Sequence, residues 1–253
     1  MALTRTDQYN AASLVAGASQ LVAQSTSFNP GNNSLIVVLL GVENEITPQA
    51  VTFTATDNSA GGPLIWTNRL EVAVQNLGSY VGAASIWTAP LTTGLSLQVT
   101  AGCTQLSSLV DPGNVLMQIV SYTGYNIASP IGGTITNNTA GDGALTITLG
   151  ATPAATSEVL AIRFREDNGT QSTGATPGTG WTQVFTVSTA SPGYGDLQSQ
   201  FRNNSTLTSV IWDDTSSNAA ASSWMRDTLG IEIKAADITT TLKTRKTLLR
   251  VGI

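Results

Sequence analysis

The order of strand and turn signals is written twice along this chain, and that duplication restricts the fold more than any other feature. In the first half, Gln20-Leu21-Val22 leads through Asn29-Pro30-Gly31 into an apolar run over residues 34–42. In the second, Ala144-Leu145-Thr146-Ile147 leads through Ala151-Thr152-Pro153 into residues 158–164. Each long run ends at an acidic turn, Glu43-Asn44-Glu45 or Glu166-Asp167-Asn168-Gly169. A Trp-Thr pair follows, Trp66-Thr67 or Trp181-Thr182, and then a segment holding Tyr80 or Tyr194. A Thr/Ser/Leu/Val strand comes next, 95–100 or 207–212, and each half closes on an apolar strand, 115–121 or 229–234. Features that recur in one order mark duplicated structural units. The chain therefore reads as two modules, 13–127 and 128–236, between an N-terminal arm (1–12) and a C-terminal arm (237–253).

The local patterns specify strands. Apolar residues alternate in Val51/Phe53/Ala55, Leu95/Leu97/Val99 and Leu145/Ile147/Leu149, the period of a strand with one buried face. The unbroken run over 34–42 predicts a strand covered on both faces. Asp57-Asn58-Ser59, Asp111-Pro112-Gly113 and Ser191-Pro192-Gly193 supply turns between the strands, and no segment carries a helical period. Only 11% of residues are charged, while Thr, Ser, Asn, Gly and Ala abound. The expected fold is all-β, two related antiparallel β-sandwiches of jelly-roll type, either separate or merged into one long sandwich.

Composition also excludes chemistry. The chain has no histidine, which removes the commonest general base, triad partner and zinc ligand together. Cys103 is its one cysteine, so no intrachain disulfide forms and folding in a reducing compartment is expected. The apolar stretch 11–24 is broken by Ser13, Gly17, Ser19 and Gln20, a poor signal peptide, and no run reaches the length of a membrane span. The carboxylate pairs Glu43/Glu45, Glu166/Asp167 and Asp213/Asp214 sit at strand ends, where acidic turn residues are routine. Neighbours on a strand also face opposite ways, so Asp213 and Asp214 would not converge on one substrate. Calcium is the better use for Glu166-Asp167-Asn168-Gly169 or Asp57-Asn58, although neither has the spacing of a calcium loop. Asn137-Asn138-Thr139 reads as turn composition. No catalytic residue, cofactor or metal is expected.

Two groups remain as candidate contacts. The segment 237–253 holds Lys243, Arg245, Lys246 and Arg250 against Asp237, a charge of +3, which leaves −8 on the remainder. A basic arm on an acidic body is expected to dock on an acidic surface such as a neighbouring copy. Nucleic acid is the weaker reading, since four charges without interleaved aromatics make a thin phosphate track. Trp66 and Trp181 hold equivalent places, which favours a repeated core role. Trp212 and Trp224 fall outside that correspondence and are the candidates for a glycan-binding platform.

Gly31-Asn32-Asn33-Ser34-Leu35-Ile36-Val37-Val38, Val120-Ser121-Tyr122-Thr123-Gly124, Gly180-Trp181-Thr182 and the closing strand 229–234 carry a further pattern. Over residues 13–236 the chain resembles jelly-roll or sandwich modules of bacteriophage and bacterial accessory proteins. The resemblance implies a fold and a setting, including phage head-decoration and tail or fibre components. The expectation is a non-enzymatic virion protein, made in the host cytoplasm. Its partners would be copies of itself and other virion proteins, the major capsid protein or tail subunits, with no membrane contact. A tail or fibre subunit that binds a host glycan is the alternative.

Overall fold

The computed structural model describes residues 2–15, 20–44, 51–60, 62–77, 80–105, 113–140, 144–167, 176–189, 194–203, 205–213 and 225–237. The first half forms β1 (Thr4–Val15), β2 (Gln20–Gln24), β3 (Ser34–Asn44), β4 (Val51–Asp57), β5 (Thr67–Leu77), β6 (Tyr80–Leu91), β7 (Val99–Gln105) and β8 (Gly113–Thr123). The second forms β9 (Ile131–Ala140), β10 (Leu145–Thr148), β11 (Glu158–Asp167), β12 (Thr176–Pro177), β13 (Thr182–Ser188), β14 (Tyr194–Asn203), β15 (Ser209–Asp213) and β16 (Met225–Ile233). The fold is all-β, and no helix occurs among the described residues.

The first half makes a five-stranded sheet, β1-β8-β3-β6-β5, and a three-stranded sheet, β2-β7-β4. The second makes β9-β16-β11-β14-β13 and β10-β15-β12, the same order counted from β9. Each half is thus an eight-stranded antiparallel sandwich with a Greek-key path of jelly-roll type. The two sandwiches are not merged end to end. They stack through their five-stranded sheets, giving four layers of three, five, five and three strands with a hydrophobic core in each gap.

That stacking explains the long apolar run. Ile36, Val38, Leu40 and Val42 point into the first sandwich, while Leu35, Val37 and Leu39 point across the gap at the second. A strand inside the stack has no solvent face, so alternation disappears. Across the gap β1 meets β13, β8 and β3 meet β14, β6 meets both β11 and β16, and β5 meets β16 and β9, with β3 and β11 crossing between them. Because β13 corresponds to β5 and β9 to β1, the halves exchange roles as in a two-fold dimer.

At the centre of this contact Phe164 of β11 lies on Gly41 of β3. A Cβ at residue 41 would stand 2.8 Å from Phe164 Cε2 and closer still to Cδ2. The link between the halves is as tight. Gly124 has φ +72°, and the oxygen of Ala2 occupies the space its Cβ would need. Ala236 N–H donates to Gly124 O (2.7 Å), and Asn126 N–H donates to Lys234 O (2.8 Å). The start of the chain, the link and the end of β16 therefore meet in one place.

Three local expectations are corrected. Residues 1–12 are not an arm, because β1 pairs with β8 from Thr4 to Val15 and closes one edge of the first sheet. Its signal was hidden because Arg5, Asp7 and Gln8 punctuate an edge strand with little apolar character. Leu95 and Leu97 precede β7, and Leu97 makes only an isolated bridge to Phe28. Asn137-Asn138-Thr139 lies in β9, held there by pairing with Thr228, Asp227 and Arg226 of β16. The boundaries at 127 and 128 fall within the link between β8 and β9.

Replacing Gly41 by Val should drive the Phe164 ring from its seat and destabilise the chain by about 2–3 kcal/mol, the usual cost of overpacking. Denaturant unfolding of G41V beside wild type measures it, with Gly41→Ala intermediate.

Candidate functional site

The buried seam between the sandwiches carries the densest polar chemistry that links the two halves. Arg5 of β1 donates through Nη1 to Glu158 Oε1 of β11 at 3.0 Å, and its guanidinium lies 3.5 Å from the ring centroid of Phe201 on β14. Tyr122 of β8 donates to the same carboxylate oxygen at 2.5 Å. Gln118 Nε2 donates to Leu197 O (2.9 Å) and Asn10 Nδ2 to Thr186 O (3.0 Å), again from one sandwich to the other. Burial pushes the Glu158 carboxyl up, more than Arg5 and Tyr122 pull it down. Tyr122 is wholly buried, which together with Glu158 holds its phenol far above the usual range as a permanent donor. A catalytic acid needs access to substrate; this one is 3% exposed and works as a cross-link.

Asp227 lies on the same seam. It is 1% exposed, accepts from Asn138 Nδ2 at 2.5 Å, and burial keeps its carboxyl well above the ordinary value. Asn138 also lines a groove of ≈ 230 Å³ between β5 and β9, together with Glu71, Val72, Thr136 and Asn137.

The candidates from sequence separate. Lys243, Arg245, Lys246, Arg250 and Trp224 lie outside the described residues, as do Glu45, Asn168, Gly169 and Asp214. Trp212 is corrected: it is 1% exposed and packs with Val210, Ile147 and Trp181 inside the second sandwich, so it offers no ring to a sugar. Alternation along β15 turns Trp212 to the same side as Val210, into that core. Trp66 and Trp181 both precede the equivalent strands β5 and β13 and pack on their own sandwich cores. Cys103 is buried in the first core, where burial pushes its thiol up to about 12.

Asp57 is not a free calcium ligand. It accepts from Leu64 N (2.8 Å), Trp66 Nε1 (2.8 Å), Ser59 N (2.9 Å) and the Ser59 hydroxyl, and so ties down the turn between β4 and β5. Partial burial raises its carboxyl, but these bonds outweigh it and the net shift is downward. Among the described residues no three acidic, cysteine or histidine side chains gather as a metal-ligand set.

The outward faces of the three-stranded sheets were missed by sequence reasoning. Phe53 and Ala55 of β4 point inward, so Thr52, Thr54 and Thr56 face out and are exposed. Beside them stand Gln24 of β2 and Thr100 of β7, joined by a 3.3 Å hydrogen bond from Gln24 Nε2 to Thr100 Oγ1. None of these is charged. The opposite end of the stack shows Thr146 and Thr148 with Ser209 and Ile211, and among the described residues of these strands charge enters at Asp213. The Thr-x-Thr-x-Thr spacing of β4 was the available signal.

No protein family, curated protein or solved structure matches the chain.

Two titrations follow from these environments. Asp227 has a raised folded value, so its contribution is complete below the unfolded carboxylate value near ~4 and is lost as pH rises through the folded one. Asp227→Asn should therefore leave Tm unchanged at about pH 4 and raise it at about pH 8, by ~2–4 °C for each kcal/mol regained. Asp57 has the opposite sign: its contribution is present above the unfolded value and lost as pH falls through the folded one. Asp57→Asn should cost about 1–3 kcal/mol at neutral pH, with the difference narrowing in strong acid, as read by thermal melts across pH.

Proposed function

We propose that the chain is a non-enzymatic structural subunit of a bacteriophage particle, by preference a capsid decoration or cement protein. The observation that carries this reading is the pair of hydroxyl-rich sheet faces at the two ends of the stack. A solvent-facing sheet ordinarily carries Lys and Glu that resist association. Thr52, Thr54, Thr56, Thr100 and Gln24 provide a face without charge, and charge depletion is the mark of interface cores. Such a face offers hydroxyl donors and acceptors together with methyl groups, which suits contact with another protein surface.

The rest of the molecule is consistent with a mechanical part. Three continuous cores and the cross-links of the seam make one stiff block, and a stiff block loses little conformational freedom on assembly. The partners proposed are copies of the chain and a major capsid or tail protein. Lys243, Arg245, Lys246 and Arg250 would add an electrostatic tether to an acidic neighbour, and repetition over a particle would multiply modest contacts.

Thr52→Lys/Thr54→Lys/Thr56→Lys should leave the melting temperature of the isolated chain within about 1 °C, because the side chains face outward. It should weaken association about tenfold or more through buried like charge, read by light scattering of the purified chain and by its recovery with purified phage particles. Changing Lys243, Arg245, Lys246 and Arg250 together to Glu should weaken recovery further and make it less sensitive to salt. Undiminished recovery of both variants would overturn the reading.

A further inference from the structure

The interior of the second sandwich is apolar over only part of its area. On the side of β11 turned to the three-stranded sheet, Val159 and Ala161 are followed by Arg163 and Arg165. Strand register sets Arg163 in a row with Gln198 of β14, Thr228 of β16 and Asn137 of β9. The next row is Asp196, Arg165, Arg226 and Thr139, with Arg226 Nη2 donating to Thr139 Oγ1 at 3.3 Å. Arg163 and Thr228 are fully buried, Gln198 is 1% exposed and Arg165 2%.

The fold does not require these residues. The corresponding face of the first sandwich is built from Val38, Leu40, Val42, Val115, Met117 and Ile119. Arg165 and Arg226 stand directly opposite each other, a like-charge pairing that weakens a sheet. The arginines and Asp196 hold polar contacts of their own. Among the described residues, however, both amide atoms of Gln198, the hydroxyl of Thr228 and Asn137 Oδ1 are buried with no hydrogen-bond partner. Buried groups of this kind are rare unless water or a ligand completes them. Asn137 stands at the edge of this row on β9, a half-buried residue beside the groove between β5 and β9.

We infer that this polar stripe in the second sandwich binds a phosphate group. Three guanidiniums favour an oxyanion with several acceptor oxygens. The amide oxygen of Gln198 needs a proton donor, which a P–OH group supplies and sulfate at neutral pH does not. The Gln198 amide and the Thr228 hydroxyl donate to the remaining oxygens. This site is independent of the packing surfaces proposed above.

Isothermal titration of the full chain with inorganic phosphate should show saturable binding, with a thermal shift larger than sulfate gives at equal ionic strength. Glucose 6-phosphate, as a second arm, tells whether an ester or the free ion is the natural source. Arg226→Met should melt no lower than wild type without phosphate and bind phosphate about tenfold or more weakly, since a charge-assisted bond is lost. Thr228→Val keeps the shape and should weaken binding severalfold, and it decides the matter if Arg226→Met does not fold. No saturable phosphate binding, sulfate binding of equal strength, or binding untouched by Thr228→Val would each overturn the assignment.

Discussion

The packing of one five-stranded sheet on the other is the contact on which the rest of the molecule depends. Neither sandwich can expose the side of its large sheet that bears Leu35, Val37 and Leu39, or Leu160, Ile162 and Phe164, without presenting a wide apolar patch to water. Burying those faces against each other removes both patches at once and forms the central core. The contact is selective because Gly41 leaves room for Phe164, so a knob on one sheet meets a hollow on its counterpart. A strictly symmetric pair would put the same residue opposite itself at this place. Duplication within one chain allows the two sides to differ.

Polar groups then fix the register of the stack. Glu158 receives both Arg5 and Tyr122, and a buried ion pair of this sort defines one arrangement more than it adds stability. Asp227 acts in the opposite sense, since its ionisation strains the seam as pH rises. The halves have also diverged inside. The first sandwich keeps a hydrocarbon interior, whereas the second gives the equivalent area to Arg163, Arg165, Gln198, Arg226 and Thr228. The interior of the first module is thus mainly apolar packing, and that of the second is polar over part of its area.

A working picture of the protein follows from its surfaces. The large sheet faces are consumed within the chain, and the small ones are left outward, polar but without charge over β2, β7 and β4. In the proposed reading, those faces and the basic segment 237–253 join the molecule to a larger assembly. Burial of Trp212 removes one of the two aromatic residues on which a glycan platform would have rested.

The sequence by itself determined the all-β class, the doubled order of its elements and the shared place of Trp66 and Trp181. These depend on the two-residue period of a strand and on turn chemistry, both of which act over a few neighbouring residues. It also marked residues 34–42 as covered on both sides, but not by what. Tertiary structure alone decided that the covering layer is the other half of the chain. Only the fold made β1 and β9 strands despite their polar sequences, turned Trp212 inward, and aligned Gln198, Arg163, Thr228 and Asn137 in one row. Those outcomes depend on which distant strands pair and in what register, and the side chains of one segment carry no record of the partners that long-range packing will bring to them.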